Sequence, residues 1–238
     1  AAAAAITETY VQGGNLFPKI TTESQIGYIP GGHCGYIAAG LLLLYFDRIR
    51  TDSLINDRTY LNQSGETYKS VEEQSSSYKP LSKYIKDKYG DNRGTAAVDF
   101  PVGNAKGIDG VIDGCFGEQG ITYSHWAKIT ATFDDLVFAL LKEYNLPLIL
   151  FGRLPDVSGD DSLCDHAVIA YGYTSDDMLI VHYGWENYSK VILDNIIYMS
   201  GSMYQITSCS APTSDPCYPF SDLSYHWARK YISTCVEH

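Results

Sequence analysis

Apolar side chains fill every face of one stretch of this chain, and the remaining pattern is arranged around it. From Gly35 to Phe46 the run Gly-Tyr-Ile-Ala-Ala-Gly-Leu-Leu-Leu-Leu-Tyr-Phe offers no polar stripe, which predicts a helix buried on all sides. Leu81, Tyr84, Ile85 and Tyr89 recur at helical spacing and stop at Gly90, a residue type that caps helix C-termini. Thr132-Phe133-Asp134-Asp135 supplies an N-cap signal for a further helix that carries Leu136, Phe138, Leu140, Leu141 and Tyr144 and ends at Asn145. Residues 108–116 read as a short helix or turn.

The second half changes period. Residues 121–123 and 128–131 read as short strands and 147–151 as a buried strand. Residues 167–173, 178–183, 190–193 and 203–207 continue the series. Ser175-Asp176-Asp177 lies where the strands at 167–173 and 178–183 would turn as a hairpin. The lead-in at 6–28 reads as extended, and 51–77 and 154–164 as loops, while 98–104 reads as loop or short strand. Helices first and antiparallel strands after them predict an α+β domain over 6–208. A Cys- and Pro-containing tail follows at 209–238.

Composition narrows the function classes. The 238 residues are 45% hydrophobic and 19% charged, as in ordinary globular proteins. A net charge of −11 argues against nucleic acid or an anionic membrane as partner. No apolar run reaches the ~18 residues that a membrane span needs. The 20 tyrosines suit a groove for polymeric ligands, and equally an extracellular or cell-surface protein without one; a monomer is expected. Six cysteines, at 34, 115, 164, 209, 217 and 235, allow at most two bridges if Cys34 stays a thiol. Cys217, His226, Cys235 and His238 have zinc-ligand identities, but their spacing matches no common structural site; a disulfide between two of the tail cysteines, or none, is the plainer reading.

Two residues carry the candidate chemistry. Cys34 opens the apolar helix, where unpaired backbone N–H groups and the positive dipole end favour a thiolate. His166 opens the apolar strand after the 154–164 loop, placed to enter a cleft between the helical and sheet halves. Imidazole can take the thiol proton and later deliver it to a leaving amine. Either residue could instead be structural, the cysteine by packing and the histidine by local hydrogen bonds.

Gly32-His33-Cys34 before the apolar helix, His166 opening a strand, and Tyr183-Gly184-Trp185 ending the next one resemble the papain-like cysteine peptidases. The likeness is closest to their bacterial streptopain-like and bacteriocin-leader-processing (double-glycine) branches. It implies a papain-like α+β fold, with a helical lobe whose central nucleophile helix packs on a twisted antiparallel sheet. It further implies hydrolysis of peptide or protein substrates through a thioester, with Cys34 as nucleophile, His166 as base and no cofactor. The family's third residue stands about sixteen positions after the histidine, which here is His182, with Trp185 as its aromatic neighbour. Asn187 and Asp165 are the other candidates for orienting the histidine.

Two departures stand out. The third position usually holds Asn or Asp, although NlpC-type cell-wall peptidases use a histidine. The oxyanion glutamine usually lies about six residues before the cysteine, where this chain has Tyr28; Gln25 lies nine before, and the Cys34 N–H is the other oxyanion donor. The rival expectations are therefore a cell-wall amidase or endopeptidase of the NlpC kind, and an inactive papain-fold binding module.

Overall fold

Helix α1 (Cys34–Ile49) begins at the cysteine and carries the apolar run. Tyr36 through Phe46 are buried, the four leucines completely, so α1 is the centre of the core. The computed structural model describes residues 5–20, 33–49, 54, 81–90, 108–130, 135–157, 162–185, 187–194 and 201–210. Gln25, the loops at 51–77 (except 54) and 98–104, and the tail from 211, with its Cys/His cluster, lie outside the described residues.

Helices α2 (Leu81–Tyr89) and α3 (Ile108–Glu118) pack on α1, and α1 in turn packs on the sheet. The strands are β1 (Glu8–Tyr10), β2 (Tyr123–Thr130), β3 (Leu148–Pro155), β4 (Leu163–Thr174), β5 (Leu179–His182), β6 (Val191–Leu193) and β7 (Gly201–Cys209). Every pairing is antiparallel, in the order β2-β7-β3-β4-β5-β6. Strand β1 takes over beside β4 where β3 stops: Leu148 faces Ala170, and Tyr10 faces Gly172. Helices beside an antiparallel sheet make this an α+β fold.

The two sheet faces are covered differently. Gln205 on β7 donates its side-chain amide to Leu140 O and Leu146 O at 3.3 and 2.9 Å, which ties one face to helix α4 (Asp135–Tyr144). Its neighbour Tyr204 points the other way. Tyr204 reaches the Tyr123 hydroxyl, Tyr123 meets Phe116 of α3, and Phe116 meets Phe46 of α1. So α1 and α3 share one face and α4 lies on the other.

Several expected boundaries move. Residues 121–123 and 128–131 are not two strands: β2 runs through Ser124-His125-Trp126, where a bulge between Ser124 and His125 breaks the alternation that sequence reading relies on. The 154–164 loop shrinks, because β3 continues to Pro155 and β4 starts at Leu163, paired across to each other. The lead-in holds a 3-10 helix, Gly14–Lys19, besides β1. Strand β7 reaches Cys209, opposite Tyr123, and Ser210 N–H still bonds Thr122 O at 2.8 Å. The sheet thus extends past the boundary expected at residue 208.

Candidate active site

Cys34 is the first helical residue of α1, with His33 just outside. The first helical hydrogen bonds are those of the Tyr36 and Ile37 N–H groups to His33 O, at 3.0 and 3.3 Å. The amides of Cys34 and Gly35 therefore precede the helical ladder, where they can point at an anion. Cys34 is half-buried and a thiol, as are Cys164 and Cys209, while the Cys115 thiol is buried.

His166 lies near the start of β4, only 4% exposed between exposed Asp165 and buried Ala167. Its Nε2–H donates to the Tyr183 carbonyl at 2.6 Å. The Tyr183 ring stacks on the imidazole at 5.3 Å between centroids, and the Trp185 ring stands at 4.4 Å. Burial pushes the imidazole pKa down to about 4, against the opposing pull of the Tyr183 carbonyl and the Asp156 charge. The ring is therefore neutral at pH 7. With Nε2 holding the proton, Nδ1 carries the lone pair and makes no hydrogen bond among the described residues.

Tyr183 has little freedom to move its carbonyl. Its N–H donates to Tyr188 O at 2.9 Å and its hydroxyl to Pro155 O at 2.7 Å. Tyr188 N–H in turn donates to Trp185 O at 3.2 Å, closing a short turn. Gly184, at φ +73°, lets the chain enter that turn, and a Cβ there would lie 2.9 Å from Ile37 Cγ2. Ile37 is one turn after Cys34 on α1, so the start of that helix abuts the segment that holds His166. The start of α1 and His166 thus meet the same short segment, Ile37 at Gly184 and the imidazole at the Tyr183 carbonyl.

His182 does not contact His166 as the sixteen-residue offset implies. The two do sit on neighbouring strands, and the hairpin turns at Ser175-Asp176-Asp177, with Thr174 N–H bonded to Met178 O at 2.9 Å. In the register, however, His182 lies opposite Ile169, so it shares that residue's face and turns away from His166, three positions along. Both of its ring nitrogens are engaged elsewhere. Nε2–H donates to Ile20 O at 3.0 Å, and Nδ1 accepts the Gly184 N–H at 2.9 Å. Asn187 is exposed in the turn at φ +67°, and Asp165 is exposed on the opposite side of β4 from His166. Neither serves as the ring's partner. Trp185, expected as the aromatic cover, lies against the imidazole.

The residue that sequence reasoning missed is Tyr183, which acts through its main chain. A backbone carbonyl leaves no mark on residue identity; only the glycine after it gives a local signal. Among the described residues no group of three or more His, Cys, Asp or Glu is placed to hold a metal ion. No described helix is long and apolar enough to cross a membrane. No protein-family model, curated protein or solved structure matches this chain.

Proposed function

We propose that this chain is a cysteine peptidase of papain-like fold that cleaves peptide bonds through a thioester on Cys34. His166 Nδ1 takes the thiol proton as sulfur attacks the carbonyl carbon. The same proton passes to the leaving amine when the C–N bond breaks, and water then deacylates the enzyme with His166 again as base. The Cys34 N–H stabilises the oxyanion. The observation that carries this reading is the one-sided tether of His166: a buried neutral imidazole, fixed at Nε2 and with Nδ1 left as base, beside the segment that abuts the nucleophile helix. The NlpC-type reading drew on His182 as a direct third residue, and that support is gone because the ring bonds Ile20 and Gly184.

Turnover of casein or a mixed peptide library by wild type, Cys34→Ala and His166→Ala tests the reading. Each substitution is expected to lower kcat by roughly 10³-fold or more, with losses that do not add in the double variant. Circular dichroism on the same samples is expected to be unchanged. Iodoacetamide labelling at pH 6 tests the pairing itself: Cys34 should react far faster than a thiol of pKa about 8.5, and His166→Ala should slow it. Full activity in Cys34→Ala ends the proposal. Slow labelling without any turnover leaves the inactive binding module.

A further inference from the structure

The Tyr183–Gly184 peptide group is held from both sides by histidines. Its carbonyl accepts from His166 Nε2–H at 2.6 Å, and its N–H donates to His182 Nδ1 at 2.9 Å. On the far side of the His182 ring, Nε2–H donates to Ile20 O at 3.0 Å. Every link runs in the same sense, from His166 through the peptide and the second imidazole. A peptide that donates at N–H becomes a stronger acceptor at its carbonyl, since hydrogen bonds in a chain polarise one another.

We infer that His182 is a positioning residue for the reaction proposed above, setting the orientation and tautomer of His166 through the Tyr183–Gly184 peptide. The inference rests on that proposal for its chemistry and on the three linked hydrogen bonds for its structure. His182 is fully buried, so its lone pair at Nδ1 has the Gly184 N–H as its partner and no water to replace it. Gly184 at φ +73° gives this peptide an orientation that other residues rarely adopt. If His182 Nδ1 is removed, the Gly184 N–H loses its buried acceptor, and the peptide can rotate toward another one. Such a rotation takes the Tyr183 carbonyl off His166 Nε2, and the ring then has no anchor for its tautomer.

Two substitutions separate this role from a clamp on the lead-in at Ile20. His182→Asn keeps an acceptor near the Nδ1 position and loses the donor to Ile20. His182→Gln keeps a donor near the Nε2 position and loses the acceptor for Gly184. The readouts are long-range ¹H–¹⁵N NMR of the His166 ring in the full chain at pH 7, and steady-state kinetics on the same samples. Wild type is expected to show one Nε2–H tautomer. His182→Asn is expected to keep that signature, with kcat lowered less than about tenfold. His182→Gln is expected to mix the tautomers and to lower kcat by roughly 10- to 1,000-fold with little change in KM, the range of positioning effects. The reverse ranking, with Gln like wild type and Asn impaired, overturns the inference. So does a wild-type His166 protonated at Nδ1, a measurement that needs no variant to fold. If the NMR pattern holds and no preparation hydrolyses peptide, the peptidase proposal fails while the control of the His166 ring by His182 stands.

Discussion

At the scale of single residues, the environment of His166 decides its chemistry. The imidazole sits under Trp185 and Tyr183, and burial lowers its pKa against the opposing pull of the Tyr183 carbonyl and the Asp156 charge. Removing the indole lets water in and weakens that effect of burial, so Trp185→Ala is expected to raise the His166 pKa toward its ordinary value near 6.5. The acid limb of kcat/KM should then move to higher pH, and an NMR titration of the ring should move with it. An unmoved limb would assign the shift to other groups. Sequence alone pointed to Cys34, His166 and Trp185, because each has a local signal: a helix start, a strand start, an aromatic after Tyr-Gly. It assigned His182 a direct contact that the structure replaces with two backbone bonds. Pair spacing cannot show which face a residue takes once the register is set elsewhere in the sheet.

At the scale of elements, the site depends on how closely α1 meets the end of β5. Gly184 permits this twice over, by its φ of +73° and by the space it leaves to Ile37 Cγ2 at 2.9 Å. Gly120 has a similar φ, +66°, but nothing within 4 Å of its would-be Cβ. The pair therefore divides backbone strain from crowding. Gly120→Ala is expected to cost about 1 kcal/mol from the left-handed backbone alone. Gly184→Ala adds overpacking against a buried isoleucine, about 1–3 kcal/mol more, and should lower kcat beyond what partial unfolding explains. Urea midpoints for both variants, with kinetics for the second, check this; equal costs would mean that Ile37 yields easily. The elements themselves were largely legible. The all-apolar run, the Gly90 stop and the 167–173 strand have strong periodicity, and α1, α2 and β4 appear where it puts them. What failed was the interior of β2, where a bulge interrupts alternation, and the ends of β3 and β4, where pairing extends strands into polar sequence.

For the whole molecule, the two histidines buried among the described residues, His166 and His182, make stability depend on pH in a direction that can be worked out. Burial lowers both His166 and His182 to about 4, whereas in the unfolded chain each titrates near 6.5. Between those values the unfolded state binds more protons than the folded one. Stability therefore rises with pH across the window, is fully present above about 6.5, and is lost as pH falls toward 4. Each histidine contributes a slope approaching about 1.4 kcal/mol per pH unit inside the window. Protonated His182 can no longer accept the Gly184 N–H, so the same acidification that costs stability also releases the peptide that anchors His166. Urea unfolding at pH 7, 6, 5 and 4 is expected to show the midpoint falling over this range. In His182→Asn, which carries no titrating group there, the slope between pH 6 and 4.5 should drop by about half. A slope unaltered by that substitution would place the acid sensitivity in other groups, and it would mean that His182 is already charged or already exposed in the folded chain.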